Sequence, residues 1–122
     1  MTRTVLAIVD DLFFASKIRG TGEQVGAHVL FARTIDDALQ KVREQTPALI
    51  VVDLNVRSCD PFELGKDLKT DESCAAVPLL GFFSHVQTEL QRAAKDAGFD
   101  RVMPRSLFSQ KLSEILAGRE SI

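Results

Sequence analysis

The feature that most constrains this chain is the alternation of short, continuously apolar runs with segments of helical period. The runs are Val5–Val9, His28–Ala32, Ala48–Val52, Val77–Phe82 and a weaker Arg101–Met103. VLAIV and ALIVV are apolar at every position rather than every second one, the pattern of strands covered on both faces. The intervening segments carry helix signals. TIDDALQKV starts on Thr34 as a cap, has acids in its first turn, and places Ile35, Ala38, Leu39 and Val42 on one face. DPFELGKDL offers Asp60 as cap, Pro61 at the first helical position and Glu63 three residues after the cap. TELQRAAKDAG aligns Leu90, Ala93, Ala94 and Ala97 and stops at Gly98. SLFSQKLSEILAG aligns Phe108, Leu112, Ile115 and Leu116 as one helix before Gly118. The first helix, LFFASKIRGTGEQVG, is the least regular, and Gly20 and Gly22 predict a weakened second half.

Five strand–helix units predict a parallel sheet with helices on both faces and right-handed crossovers. In open sheets of this kind, ligands and chemistry gather outside the carboxyl ends of the strands, where the strand order reverses. No repeat, low-complexity tract or linker interrupts the pattern, and 122 residues suit one domain spanning 1–122. A chain of that size buries roughly two-thirds of its unfolded surface, enough for a real core.

Several function classes fall away. The net charge is −2 and the lysines and arginines are scattered, so neither a nucleic-acid footprint nor a basic membrane face is present. No apolar run approaches the roughly 18 residues of a membrane span. MTRTVLAIVDD runs straight into a strand, with its charged pair too early for a signal-peptide core. Cys59 and Cys74 fit no metal spacing and are too few for a disulfide framework, so two free thiols and a cytoplasmic location are expected.

The chemistry-bearing residues stand where two apolar runs end. VLAIVDD closes on Asp10 and Asp11, and ALIVVDLN closes on Asp53, followed by Leu54 and Asn55. Each acid alone has a structural explanation: Asp11 could cap the following helix, and Asp53 could serve a turn. If the first and third strands are neighbours, however, the three acids meet at one sheet edge. There they raise one another's pKa or demand a counter-cation. A hard, oxygen-liganded divalent ion answers that demand, and Mg²⁺ suits it best, since it needs few protein ligands and keeps several waters.

Taken together, VLAIVDD, PALIVVDLN, AAVPLLGFFSHV and DAGFDRVMPRSLF resemble the receiver domain of two-component response regulators, over essentially the full chain. The resemblance implies a flavodoxin-like (βα)5 three-layer sandwich with a parallel five-stranded sheet of order 2-1-3-4-5. It implies Asp53 as phosphoacceptor, with Mg²⁺ held by Asp10, Asp11, Asp53 and the backbone carbonyl of Asn55. A histidine kinase or phosphotransfer protein would supply the phosphate. A downstream target would dock on the face formed by the fourth helix, fifth strand and fifth helix, and a homodimer stays open. Such a protein is not an enzyme in the strict sense, although it catalyses its own phosphorylation. The chain ends soon after its last helix, so any effect is expected through protein contacts or through a larger chain of which this is a fragment.

Three receiver positions depart from the pattern. The hydroxyl-bearing residue that ends the fourth strand maps to Phe83, which has nothing to donate. Ser84 follows, but neighbours on a strand point to opposite faces, so it substitutes only if the strand has already given way to loop. The Lys that ends the fifth strand maps to Arg105, a planar, always-ionised fork rather than a compact ammonium. Arg105 either pairs with Asp53 and locks it or is a solvated residue near a helix start. The aromatic that swings in switching receivers maps to Val102, whose β-branched side chain has no such motion.

These departures support a competing reading, a pseudo-receiver that docks partners without phosphorylation. A third class, a flavin-binding protein or a small aspartate-dependent phosphatase, fits less well. Two acids after the first strand repel a cofactor phosphate, the chain has no Trp or Tyr, and it is too short for a substrate-capping domain. His28 reads as packing or edge surface, and His85 as a loop residue without an identifiable partner. Gly81 inside a strand predicts a close backbone approach.

Overall fold

Along each central strand, successive side chains enter two different cores, and this alternation organises the computed structural model, which describes residues 2–84 and 88–122. In β1 (Arg3–Ile8) and its continuation, Val5, Ala7 and Val9 belong to one buried cluster, Leu6 and Ile8 to the other. In β3 (Leu49–Asp53) the same split sends Leu49 and Val51 one way and Ile50 and Val52 the other. Both faces are therefore dry, and continuous apolar runs are what such strands require.

The remaining elements are α1 (Leu12–Val25), β2 (Ala27–Phe31), α2 (Ile35–Glu44), α3 (Pro61–Thr70), β4 (Leu79–Phe83), α4 (Thr88–Asp96), β5 (Arg101–Pro104), α5 (Arg105–Gln110) and α6 (Leu112–Ala117). The sheet is parallel throughout, in the order β2-β1-β3-β4-β5. This is the flavodoxin-like arrangement expected. Phe14, Ile18, Phe108, Leu112, Ile115 and Leu116 cover one face, while Ala38, Val42, Leu64, Leu68 and Ala94 cover the other. Each fully buried aliphatic or aromatic side chain contributes about 1.5–3 kcal/mol, so the two clusters dominate the stability.

The expected caps are in place. Thr34 accepts the N–H of Asp37, and Asp60 accepts those of Phe62 and Glu63 ahead of Pro61. Gly98 and Gly118 take the left-handed conformation just beyond their helices. One expectation needs correction. The last helix is interrupted at Lys111 (φ −100°, ψ 11°), giving α5 and α6, although hydrogen bonds of helical spacing continue on both sides. The apolar stripe faces the core on both sides of the break, so a hydrophobic pattern alone could not reveal it. Helix α1 runs on through Gly20 and Gly22 to Val25. A Cβ on Gly22 would stand 2.7 Å from Val29 Cγ2, so this glycine admits β2 to the helix rather than loosening it.

Gly81 does mark a close approach. A Cβ there would meet Phe99 Cδ2 at 3.0 Å and both Leu54 methyls at 3.1 Å. Strand β4 starts two residues later than expected, because Pro78 has no N–H for the ladder while its carbonyl accepts from Ile50. Among the described residues no helix is long and apolar enough to cross a membrane.

Candidate functional site

Register places the acids. Ile8 pairs with Val52 across β1 and β3, so Asp10 and Asp11, just past the end of β1, stand at the same carboxyl edge as Asp53, which ends β3. Asp53 is only 7% exposed, and with Thr4 it makes up the buried polar residues among those described. Its Oδ1 accepts the backbone N–H of Asn55 at 2.8 Å, and no other protein donor among the described residues reaches the carboxylate. Burial pushes the Asp53 carboxyl up. The Asn55 N–H and the charge of Arg105 oppose this, the charges of Asp10 and Asp11 reinforce it, and the balance stays above the ordinary carboxylate value.

Asp10 fastens the loop after β3. Its Oδ2 accepts the backbone N–H groups of Arg57 at 2.9 Å and Ser58 at 3.0 Å. Its Oδ1 is buried and meets no donor at full hydrogen-bond geometry; its neighbours are Arg33 Nε at 3.9 Å and the buried Ser58 hydroxyl, which has no other partner. Burial pushes Asp10 up, but the Ser58 hydroxyl, the two backbone donors and Arg33 outweigh it and leave the carboxyl below its usual range.

Asp11 caps α1. Oδ1 accepts from Phe13 N at 2.9 Å and Phe14 N at 3.2 Å, and Oδ2 accepts from Arg105 Nη2 at 3.2 Å. The Phe14 N–H, then Arg105, hold its carboxyl below the ordinary value. The expected choice for Arg105 is thus corrected on both counts. The guanidinium is neither locked on Asp53 nor simply solvated; it takes Asp11 and lies 3.9 Å over the centroid of the Phe14 ring. No three acidic, histidine or cysteine side chains among the described residues converge as a metal cluster. The donor set still suits a hard cation, since Asp10 Oδ1 is a buried carboxylate oxygen met only by Arg33 at 3.9 Å and the nearby Ser58 hydroxyl, and Asp53 carries an ionic demand that the protein meets only in part.

Around this edge, β4 ends at Phe83, which is 3% exposed and packed in the cluster of α2, α3 and α4. Ser84 lies beyond the strand, exposed, and its N–H donates to Asn55 Oδ1 at 2.8 Å. The condition under which Ser84 escapes strand alternation is therefore met. Val102 is half-buried against the same cluster as Phe83. His28 is exposed on the edge strand β2, and His85 lies outside the described residues. Cys59 and Cys74 are free.

Arg33, Arg57, Ser58 and Phe14 were not legible as site residues. Nothing in a loop sequence such as NVRSC announces which N–H will meet Asp10. In LFF, only the exact phase of α1 decides that Phe13 is 91% exposed and Phe14 buried.

No family model matches the chain, and no curated protein matches it. Solved structures do. The chemotaxis response regulator CheY4 of Vibrio cholerae is 20% identical, with a TM-score of 0.83 over 98% of this chain and 100% of that one. A putative response regulator from Chloroflexus aurantiacus is also 20% identical, with a TM-score of 0.82 over 98% and 100%. The phosphorylated cyanobacterial phytochrome response regulator RcpA is 18% identical, with a TM-score of 0.78 over 97% and 91%. At these identities the likeness is one of fold: the chain has the fold of response-regulator receivers.

Proposed function

We propose that this chain is a phosphorelay receiver in which Asp53 accepts a phosphoryl group from a histidine kinase or phosphotransfer protein. The observation that supports the reading is the buried carboxylate at the tip of a central strand, beside Asp10, whose Oδ1 is buried and meets no donor at full hydrogen-bond geometry. A carboxylate oxygen of Asp53 attacks phosphorus and forms the O–P bond, while the P–N bond of a phosphohistidine breaks and its electron pair returns to the imidazole nitrogen. The Asn55 N–H fixes the rotamer of Asp53 and shares the negative charge on Oδ1. Mg²⁺ would be held by Asp53, the Asn55 carbonyl, Asp10 and, on release from Arg105, Asp11. When bound it neutralises the repulsion between the nucleophile and the phosphoryl oxygens. The exposed Ser84 hydroxyl, beyond the end of β4, stands in for the donor that Phe83 lacks.

Cytoplasmic signalling through the face of α4, β5 and the last helix, α5 with α6, in a protein that turns over no external substrate, completes the reading. Intact mass after incubation with acetyl phosphate tests it. Addition of one phosphoryl group with Mg²⁺, abolished by chelator and by Asp53→Asn, is the expected result. No addition under any condition defeats it.

A second reading, a pseudo-receiver that binds partners without phosphate, is favoured by one observation: Arg105 engages Asp11 and so occupies the acid edge with the protein's own cation. Equal binding of a partner to wild type and to Asp53→Asn would support it.

A further inference from the structure

We infer that Phe14 holds Arg105 as a built-in counter-ion on Asp11, so that a divalent cation reaching this edge must displace a guanidinium rather than fill an open ligand set. The inference rests on the metal reading above and adds to it a residue outside the acid set that determines how tightly the metal is held.

Two contacts of Arg105 carry it. Arg105 Nη2 donates to Asp11 Oδ2 at 3.2 Å, and its Cζ lies 3.9 Å above the centre of the Phe14 ring. The ring face attracts the cation and fixes its position, while Nη2 of the fork reaches the carboxylate. Phe14 itself cannot yield. It is 5% exposed, its centroid lies 5.3 Å from Phe82 and 5.9 Å from Phe108, and those two rings are stacked at 4.3 Å. Arg105 opens α5, and Phe108 stands one turn later on the same helix, so both ends of that turn rest on Phe14. Asp11 is fixed too, because its other oxygen caps α1. Asp11 and Phe14 are thus both held by other contacts, whereas the Arg105 side chain is 33% exposed and is the member of the pair that can leave.

Phe14 is thus a positioning residue for Arg105, and the test reads metal affinity and side-chain order rather than activity. Mn²⁺ is titrated calorimetrically into the full chain as wild type, Phe14→Leu and Arg105→Met, and NMR of the wild-type Arg105 side chain is recorded before and after addition of diamagnetic Mg²⁺. In metal-free wild type the Arg105 side-chain resonances should be ordered and shifted upfield by the ring, and Mg²⁺ should release them. Phe14→Leu, which keeps every charge, should bind Mn²⁺ about two- to fivefold tighter, the range for a partly exposed cation–π contact. Arg105→Met, which leaves the aromatic cluster intact, should bind about tenfold tighter or more, as expected from loss of an adjacent charge. If Phe14→Leu does not fold, the Arg105→Met affinity and the wild-type NMR still decide.

A mobile Arg105 in the metal-free protein overturns the inference without touching the metal reading. So does Phe14→Leu binding as wild type does, or Arg105 remaining on Asp11 with metal bound. No Mn²⁺ binding by any variant, with Arg105 ordered on Phe14, instead removes the metal reading and the competition with it.

Discussion

The side-chain carbonyl of Asn55 accepts the backbone N–H of Ser84 at 2.8 Å, so the loop after β3 holds the chain where it leaves β4. The backbone N–H of the same residue donates to Asp53 Oδ1, also at 2.8 Å. One residue thus ties the buried carboxylate to the exposed hydroxyl-bearing serine across two loops.

Replacing Asn55 with Ala removes the acceptor and keeps the donor. The expected loss of stability is about 0.5–1.5 kcal/mol, towards the low end because water can replace the partner of an exposed Ser84. Hydrogen exchange checks the mechanism. The Ser84 amide should exchange faster, while Val51 in the centre of the sheet keeps its protection. Unchanged exchange at Ser84 would mean that the loop is held by something else.

The two glycines inside α1 should respond oppositely to alanine. Nothing lies within 4 Å of a Cβ at Gly20, so Gly20→Ala is expected to stabilise by roughly 0.5–1 kcal/mol through backbone entropy and helix propensity. At Gly22 the new Cβ would stand 2.7 Å from Val29 Cγ2 and 3.2 Å from the Ala27 carbonyl oxygen. The same propensity gain is there outweighed by overpacking of about 1–3 kcal/mol. Urea midpoints of the two variants, moving in opposite directions, are the check.

Phe83 shows why restoring a hydroxyl at the end of β4 is not a simple repair. The ring is buried with Leu54, Val56 and Leu79 in one cluster, so Phe83→Ser removes core volume and leaves a hydroxyl in its place. A loss of about 3–5 kcal/mol is expected, the range for large-to-small changes at buried aromatics. Ser84→Ala, at an exposed position, should stay within about 0.5 kcal/mol of wild type. Comparable stability for the two variants would show that Phe83 is not the core residue its burial implies.

These residues also mark the boundary of what the sequence discloses. Continuous apolar runs determine strands covered on both sides, and caps such as Asp60–Pro61 mark helix starts locally, so element order and the shared edge of Asp10, Asp11 and Asp53 could be read directly. The partners of those acids could not. Asp11 meets Arg105 across 94 positions, and Asp10 meets the N–H groups of Arg57 and Ser58 across 47 and 48. Such contacts depend on loop conformations that no periodicity encodes. Gly22 misleads for a related reason: propensity is a local quantity, whereas its value lies in admitting Val29 from the neighbouring strand.

The ionised form of Asp53 should cost the fold stability, which makes its removal measurable. Burial is the largest cause, followed by the opposing effects of the Asn55 N–H and Arg105 and then by the charges of Asp10 and Asp11, and the folded pKa lies above the ordinary 3.8. Between 3.8 and the folded value the native chain binds more protons than the unfolded one. The contribution of Asp53 is therefore greatest below that window, falls as pH rises through it, and levels off above. Asp53→Asn keeps the shape and the acceptor for Asn55 but never ionises. It should be more stable than wild type near neutral pH without metal, and the advantage should vanish in acid. Urea midpoints across a pH series read this directly. Mg²⁺ should then narrow the gap from the wild-type side, because a ligand that binds the native carboxylate stabilises only the chain that has one. A variant less stable than wild type near neutral pH would mean that the charge on Asp53 is already compensated within the protein, leaving no demand for a cation to meet.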